Sequence, residues 1–411
     1  MARLLANAGL VLSSVCLAIA MAVGVLELYL RVADPHDGPM RHPGIYQAHA
    51  TWGHTYVAGQ SFHVSHAEFA TDVTTDERGF RGPLRKASDG GPAGPRIVVL
   101  GDSFMAGLSI PDGQVFAHYL EARLPRANVW NVAVDGWGTN NQRAALSDLL
   151  RQLRPTHVLV AFYENDFYNN AQSIDRYHVV DGHLFDKHCP NTSRVIDLEV
   201  IEEVLRRYRT GSLDLNRARQ TARAACSPAP PETAVSVYKR FLNDRLRAYP
   251  VLIDALKPQL RNLAAILPDA RGVIGRLVDI EERHGSGFPS LQPAEIEATR
   301  RELSTIREMC DQAGCRVAVM LIPSKWSLAL SGAPHVPTAA GIARDLGLYT
   351  LDLTEAVKTA GGTALYWNKD GHLRPRGHEV MVETLLRQPW WDRYLHASND
   401  QVPAERLADK P

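Results

Sequence analysis

The stretch Arg96-Ile-Val-Val-Leu-Gly-Asp-Ser-Phe-Met-Ala-Gly107 decides how the chain is read. Ile97 to Leu100 is a continuous apolar run, β-branched at three of its four positions. That suits a strand buried on both faces, as in a parallel sheet. Gly101 ends the run, and Asp102-Ser103 follow in a tight turn. From Gln114 onward, Val115, Phe116, Tyr119, Leu120 and Leu124 are spaced for one face of a helix. Strand, sharp turn with a serine, then helix presents a hydroxyl at the carboxyl end of a sheet, where α/β proteins build their sites. Residue 105 is Met, so this is not the Gly-x-Ser-x-Gly elbow of α/β-hydrolases. Taken alone, Gly-Asp-Ser is equally an ordinary turn.

Working outward, the same pattern repeats. Asn128-Val-Trp-Asn-Val-Ala-Val134 reads as a second strand ending at Asp135-Gly136, and Asn140 to Leu153 has helical spacing. Thr156 to Phe162 is a third buried strand running into Tyr163-Glu164-Asn165-Asp166. Strand, helix, strand, helix, strand predicts a doubly wound parallel α/β sheet. From Tyr168 to about Cys310 the chain is polar and Arg-rich, with helical periodicity over Asp197–Arg209, Val235–Ala248, Val251–Leu267 and Pro293–Cys310. This reads as a large helical insertion. The sheet resumes with Cys315 to Ile322, followed by Pro323-Ser324-Lys325, a helix around Ala339–Leu346 and a short strand near Leu348–Leu353. The final motif, Trp367-Asn-Lys-Asp370-Gly-His372, leads past His378 into a helix to about Leu386.

The organisation expected is therefore 1–31 as a membrane anchor or signal segment and 32–95 as a stem and turn-rich entry segment. Residues 96–170 and 311–395 are two halves of one α/β domain, 171–310 the helical insertion and 396–411 a polar tail. Ala8 to Leu26 is a run of 19 residues without a charge. As a helix it reaches about 28 Å, the thickness of a bilayer core. The small-x-small exits Ala18-Ile-Ala20 and Ala20-Met-Ala22 lie inside the run, so an uncleaved anchor is preferred to a cleaved signal peptide. Arg3 before it puts the amino terminus inside and the body outside. In the stem, His63 and His66 could share a helical face, and Thr75 to Gly82 is turn-rich.

With 411 residues, 45% of them hydrophobic and 22% charged, the chain is globular with material for a sizeable core. Lys plus Arg, 45, equals Asp plus Glu, 45, which gives no hint of nucleic acid as a partner. No Walker loop, zinc-finger spacing or His-Glu-x-x-His occurs. Beyond Cys16, the four cysteines 189, 226, 310 and 315 allow one or two disulfides outside the cytosol, or four reduced thiols.

A serine becomes a nucleophile when a base takes its proton and a carboxylate orients that base, and its oxyanion needs donors. Ser103, Gly136 and Asn165 follow successive strands, with Asp370 and His372 in a late loop. In a parallel sheet these ends share one edge. On Gly101-Asp-Ser-Phe104, Asn131 to Gly136, Glu164-Asn-Asp166 and Asp370-Gly-His372, the sequence resembles the SGNH, or GDSL-type, hydrolases. The anchor and Asp76 to Gly82 resemble a membrane-tethered bacterial branch of them.

The resemblance implies a three-layer α/β/α sheet and a triad of Ser103, His372 and Asp370. It also implies an oxyanion hole from the Ser103 and Gly136 N–H groups and the Asn165 amide. This chemistry requires no metal or organic cofactor. Two residues depart from the pattern: Tyr163 stands where the third block usually begins with glycine, and the last block is Asp-x-His rather than Asp-x-x-His. Asp-x-His and Pro323-Ser-Lys325 are similar to proteins of alginate O-acetylation. His378 is the competing base. The implied function is an esterase acting on an acylated carbohydrate or other small ester, facing the periplasm or cell exterior. The alternatives are an O-acyltransferase with the same triad, or a catalytically silent scaffold whose helical insertion docks an envelope protein.

Overall fold

The computed structural model describes residues 42–66, 68–82, 94–187, 196–226, 291–329, 333–368 and 370–396, with isolated positions 18, 21, 22, 24, 25, 40 and 189. Two compact units divide the chain, Met1–Gly38 with Pro228–Arg283 and Pro39–Ser227 with His284–Pro411, and the description concerns the second. Among the described residues no helix is long and apolar enough to cross a membrane. Most of the apolar run on which the expected anchor rests lies outside them, as do the expected helices at 235–248 and 251–267 and the tail beyond 396.

The central sheet has five parallel strands, β5 (Arg96–Gly101), β6 (Asn128–Ala133), β7 (His157–Tyr163), β10 (Arg316–Ile322) and β11 (Tyr349–Asp352), in the order β11-β10-β7-β5-β6. β7 is buried at every position, and Ile97 to Leu100 of β5 are fully buried, as their unbroken apolar runs require. The chain steps from β5 to β6 on one side and then to β7 on the other. The order thus reverses between β5 and β7, where α/β sheets open a crevice at their carboxyl edge.

Helices pack on this sheet in two groups. One contains α3 (Thr139–Leu153), α4 (Asp166–Asn170), α7 (Pro293–Ala313) and α9 (His335–Asp345). The other contains α2 (Phe116–Arg123), α10 (Thr354–Thr359) and α11 (Pro375–Leu386). α7 starts with Pro293 after a Gln292/Glu295 capping box and ends at Gly314 in the left-handed conformation, φ 73°. It buries Ala298, Thr299, Glu302, Leu303, Ile306 and Cys310 against α3 and α4. It therefore acts as the crossover helix feeding β10, not as part of the insertion to which its polar face had suggested it belonged.

Two further expectations change. The predicted helical stretch opens instead with an antiparallel hairpin, β8 (Tyr177–Val180) and β9 (His183–Asp186). Its two-residue turn, Asp181-Gly182, has positive φ at both positions, as such turns demand. Helices α5 (Leu198–Arg209) and α6 (Leu215–Ala224) then pack with this hairpin around Val180, Phe185, Ile201, Val204 and Ala218. Cys189 and Cys226 are disulfide-bonded across this small core, and Cys310 is bonded to Cys315.

In the stem, the mixed segment forms two hairpins, β1 (Tyr46–His49) with β2 (Gly53–Tyr56) and β3 (Ser61–His66) with β4 (Phe69–Thr74). His63 and His66 lie on strand β3, three residues apart and so on opposite faces, rather than on a helix. The Asp76 to Gly82 turn is built by Asp76, which accepts the N–H groups of Arg78 and Phe80 at 3.1 and 2.7 Å. It aims the buried Arg81 at the carbonyls of Ala106, Gly107 and Ile110, with its Nε 3.1 Å from Asp112.

Candidate active site

Ser103 is the first residue of a one-turn helix, α1 (Ser103–Ala106), at the end of β5. Asp102 caps it, accepting the Phe104 N–H at 2.9 Å, and Gly107 ends it at φ 60°. Gly101 is required by space: a Cβ there would sit 2.5 Å from the Met105 side chain.

The sheet brings the expected residues together although they are 269 positions apart. The Ser103 hydroxyl lies 2.9 Å from His372 Nε2. His372 Nδ1 lies 2.7 Å from Asp370 Oδ1, which also accepts the His372 N–H at 3.3 Å. The shortened Asp-x-His spacing closes because Gly371 takes φ 86°, a conformation that favours glycine. The loop is tied across its base by the Trp367 N–H to the His372 carbonyl at 2.8 Å.

Gly136 follows β6 at φ 78°, and a Cβ there would stand 3.2 Å from the Tyr177 ring. Asn165 follows β7 at the N-cap of α4, its Oδ1 buried without a partner and its amide beside the Asp102 carboxylate. Tyr163, the departure from the family pattern, stacks on Phe104 with ring centres 3.8 Å apart, and Phe104 in turn lies 4.9 Å from His372. Glu164 is turned away from the hydroxyl: it accepts the Ser324 N–H at 3.0 Å and the Ser327 hydroxyl. It thereby fixes the loop into helix α8 (Lys325–Ala329).

The electrostatics favour charge separation. Burial alone pushes the His372 imidazole down. The charge and hydrogen bond of Asp370, with the charges of Asp135 and Asp102, outweigh that and hold it up to about 9. Burial likewise pushes Asp370 up, but the attraction and hydrogen bond of His372 carry it below the usual carboxylate range. Asp102 is raised to about 6, chiefly by burial. His378 is a different kind of residue. It is 1% exposed, its Nδ1 accepts the Phe116 N–H at 3.0 Å, and burial with repulsion from Arg81 and His372 lowers it to about 3. It is a neutral core histidine holding α2 to α11.

Sequence reasoning missed Asp135. Its buried carboxylate accepts the Tyr46 and Tyr56 hydroxyls at 3.0 and 2.9 Å, and its N–H donates to Tyr56 Oη at 3.1 Å. The His54 ring donates to its carbonyl at 2.7 Å. Hairpin β1–β2 therefore fixes the peptide immediately before Gly136. The Asp-Gly pair was visible in the sequence, but nothing there pointed to its tyrosine partners. Among the described residues no group of three or more His, Cys, Asp or Glu side chains is arranged to hold a metal.

A hydroxyl aligned with an imidazole that is itself aligned with a carboxylate is the arrangement acyl transfer uses. Comparison with known proteins agrees at the family level. No curated protein matches the chain, and nothing found supports the narrower likeness to alginate O-acetylation proteins. Among solved structures, the chain is similar to the esterase EstA from Pseudoalteromonas sp., at 12% identity and TM-score 0.33 over 71% of this chain and 94% of that one. It is similar to a lipase/acylhydrolase from Enterococcus faecalis, at 13% and 0.34 over 74% and 98%. The third is a variant of the acetylxylan esterase Axe2 from Geobacillus stearothermophilus, at 12% and 0.33 over 72% and 94%. The family model of GDSL-like lipases and acylhydrolases matches residues 97–384, so the chain belongs to that family and is an ester-hydrolysing enzyme.

Proposed function

We propose that the protein is a serine esterase that removes acyl groups, such as O-acetyl, from a carbohydrate outside the cytoplasmic membrane. The observation that carries this reading is the continuous relay from Ser103 Oγ to His372 Nε2 at 2.9 Å and from His372 Nδ1 to Asp370 at 2.7 Å. Ser103 Oγ attacks the acyl carbon while neutral His372 takes its proton, and Asp370 stabilises the imidazolium that forms. The oxyanion accepts hydrogen bonds from the Ser103 and Gly136 N–H groups and the Asn165 amide. Collapse breaks the ester C–O bond, and His372 returns the proton to the departing alcohol. Water, deprotonated by His372, then attacks the acyl-enzyme; the bond from the acyl carbon to Ser103 Oγ breaks, His372 returns the proton to Oγ, and the carboxylic acid departs.

The compartment is supported by the two disulfides, Cys189–Cys226 and Cys310–Cys315, since such bonds persist outside the reducing cytosol. Residues 1–31 serve as the anchor in this reading.

The test is hydrolysis of an O-acetylated oligosaccharide by the full chain in detergent, compared with Ser103→Ala. The variant keeps its melting temperature and loses about 10⁴-fold or more in kcat. Unchanged turnover rules the reading out.

A further inference from the structure

Internal bonds tie the two ends of the 367–372 loop, but its outer arc is held from elsewhere. Glu68, in the turn between β3 and β4, accepts the Asn368 N–H on Oε1 at 2.8 Å and the Asp370 N–H on Oε2 at 3.1 Å. From the other side, Lys325 Nζ donates to the carbonyls of Trp367 and Asn368 at 3.3 and 3.2 Å. The Trp367–Asn368 peptide thus meets a carboxylate at its N–H and an ammonium at its carbonyl, and the Asn368 carbonyl and Asp370 N–H each meet one of the same two charges, the charge-assisted pairing that holds backbone most firmly. The same hairpin makes one further contact, the Phe69 ring packing 5.4 Å from the Trp367 ring. A loop that turns on Gly371 at positive φ has little stiffness of its own, so its geometry depends on such outside restraints.

We propose that the β3–β4 hairpin is a working part of the active site, with Glu68 as the positioning residue that holds Asp370 against His372. This rests on the triad reading above. The hairpin lies outside residues 97–384, where the family match falls, so the acid–base pair is completed by a segment outside that match. The acid and base are then assembled only when the stem is docked.

Glu68→Gln is the informative change. It keeps the shape, but a side-chain amide has one accepting oxygen where the carboxylate has two, so one of the two loop N–H groups faces an NH₂. The groups facing the pair are Asp135 and Asp102 from the strand ends, His66 and Glu68 from the hairpin, Lys325 from α8 and His378 from α11.

Full-length parent, Glu68→Gln, Glu68→Ala and Asp72→Asn are compared in p-nitrophenyl acetate hydrolysis across pH, with rates normalised to serines titrated by a fluorophosphonate. Asp72 pairs with His63 on the exposed side of the same hairpin, 2.9 Å away, and serves as the control. The Glu68 variants are expected to lose about 10- to 100-fold in kcat, the cost of a misplacement of about 1 Å, with KM little changed. The acid limb of their pH profile moves to lower pH, because a displaced Asp370 raises His372 less. Asp72→Asn matches the parent. Equal kcat per titrated serine and an unmoved limb, with only the melting temperature lowered, overturn the proposal and leave Glu68 a stabilising residue. A parent that takes no label at Ser103 overturns the triad reading instead, and the proposal with it.

Discussion

Three acidic residues raise the His372 imidazole. Asp370 is hydrogen-bonded to His372, while Asp135 and Asp102 act on it through charge alone. Only neutral His372 can accept the serine proton, so holding it up to about 9 makes the working fraction grow with pH through the neutral and mildly alkaline range. Removing one of the raising charges must shift that limb toward acid. Asp135→Asn is therefore expected to move the acid limb of kcat/KM to lower pH, and a profile from pH 5 to 10 checks it. An unmoved limb means that Asp135 does not act on His372. None of this tuning was legible in the sequence. Ser103, Gly136 and Asn165 stand out in the sequence by residue type after successive strands, and Asp370 and His372 by their spacing in a late loop. Asp135 depends on Tyr46 and Tyr56, 89 and 79 residues upstream, and Glu68 on a loop about 300 residues downstream. No spacing rule links such partners; only the folded chain brings them together.

At the scale of elements, what could be read depended on burial. β5, β7 and β10 are apolar nearly throughout because both faces are covered, and their runs were plain. The stem hairpins and β8–β9 are short, with buried and exposed positions mixed, and their polar residues disguised them as loop or helix. One signal was overlooked, the Asp181-Gly182 turn between two short β-rich runs. The outer face of α7, with Arg300, Arg301, Glu308 and Asp311, makes it read as part of the insertion, while the stripe through Leu303, Ile306 and Cys310 is what docks it.

The two disulfides should differ in weight for a related reason. Cys189–Cys226 closes a loop of 37 residues, and chain-entropy reasoning gives it about 4 kcal/mol. Cys310–Cys315 spans 5 residues at a helix end and is worth about 2 kcal/mol on the same reasoning. Replacing Cys189 and Cys226 by Ser should expose 196–226 to limited proteolysis while turnover at Ser103 falls by less than about threefold. The small core around Ile201 and Ala218 is separate from the sheet's core, which is why the two effects should part. Loss of turnover in step with cleavage would show that α5 and α6 support the site directly.

For the whole molecule, the decisive feature is one sheet built from distant parts of the chain. β7 lies between β5 and β10, with Val160 registered against Leu100 on one side and Val319 on the other. That register carries the ends of early and late strands to one edge, where Ser103 and His372 meet. The doubly wound sheet was readable because each strand–helix unit repeats one hydrophobic pattern. The stem's contacts with the 367–372 loop were not, since they are long-range and made by single residues.

The most direct test of the account is to label the full-length protein with a fluorophosphonate and map the adduct by mass spectrometry, with His372→Ala and His378→Ala alongside. One adduct is expected, on Ser103, and it disappears in His372→Ala. It should persist in His378→Ala, because that histidine is buried, neutral and committed to the Phe116 N–H. An adduct on another residue, or labelling that depends on His378 and not His372, would contradict it.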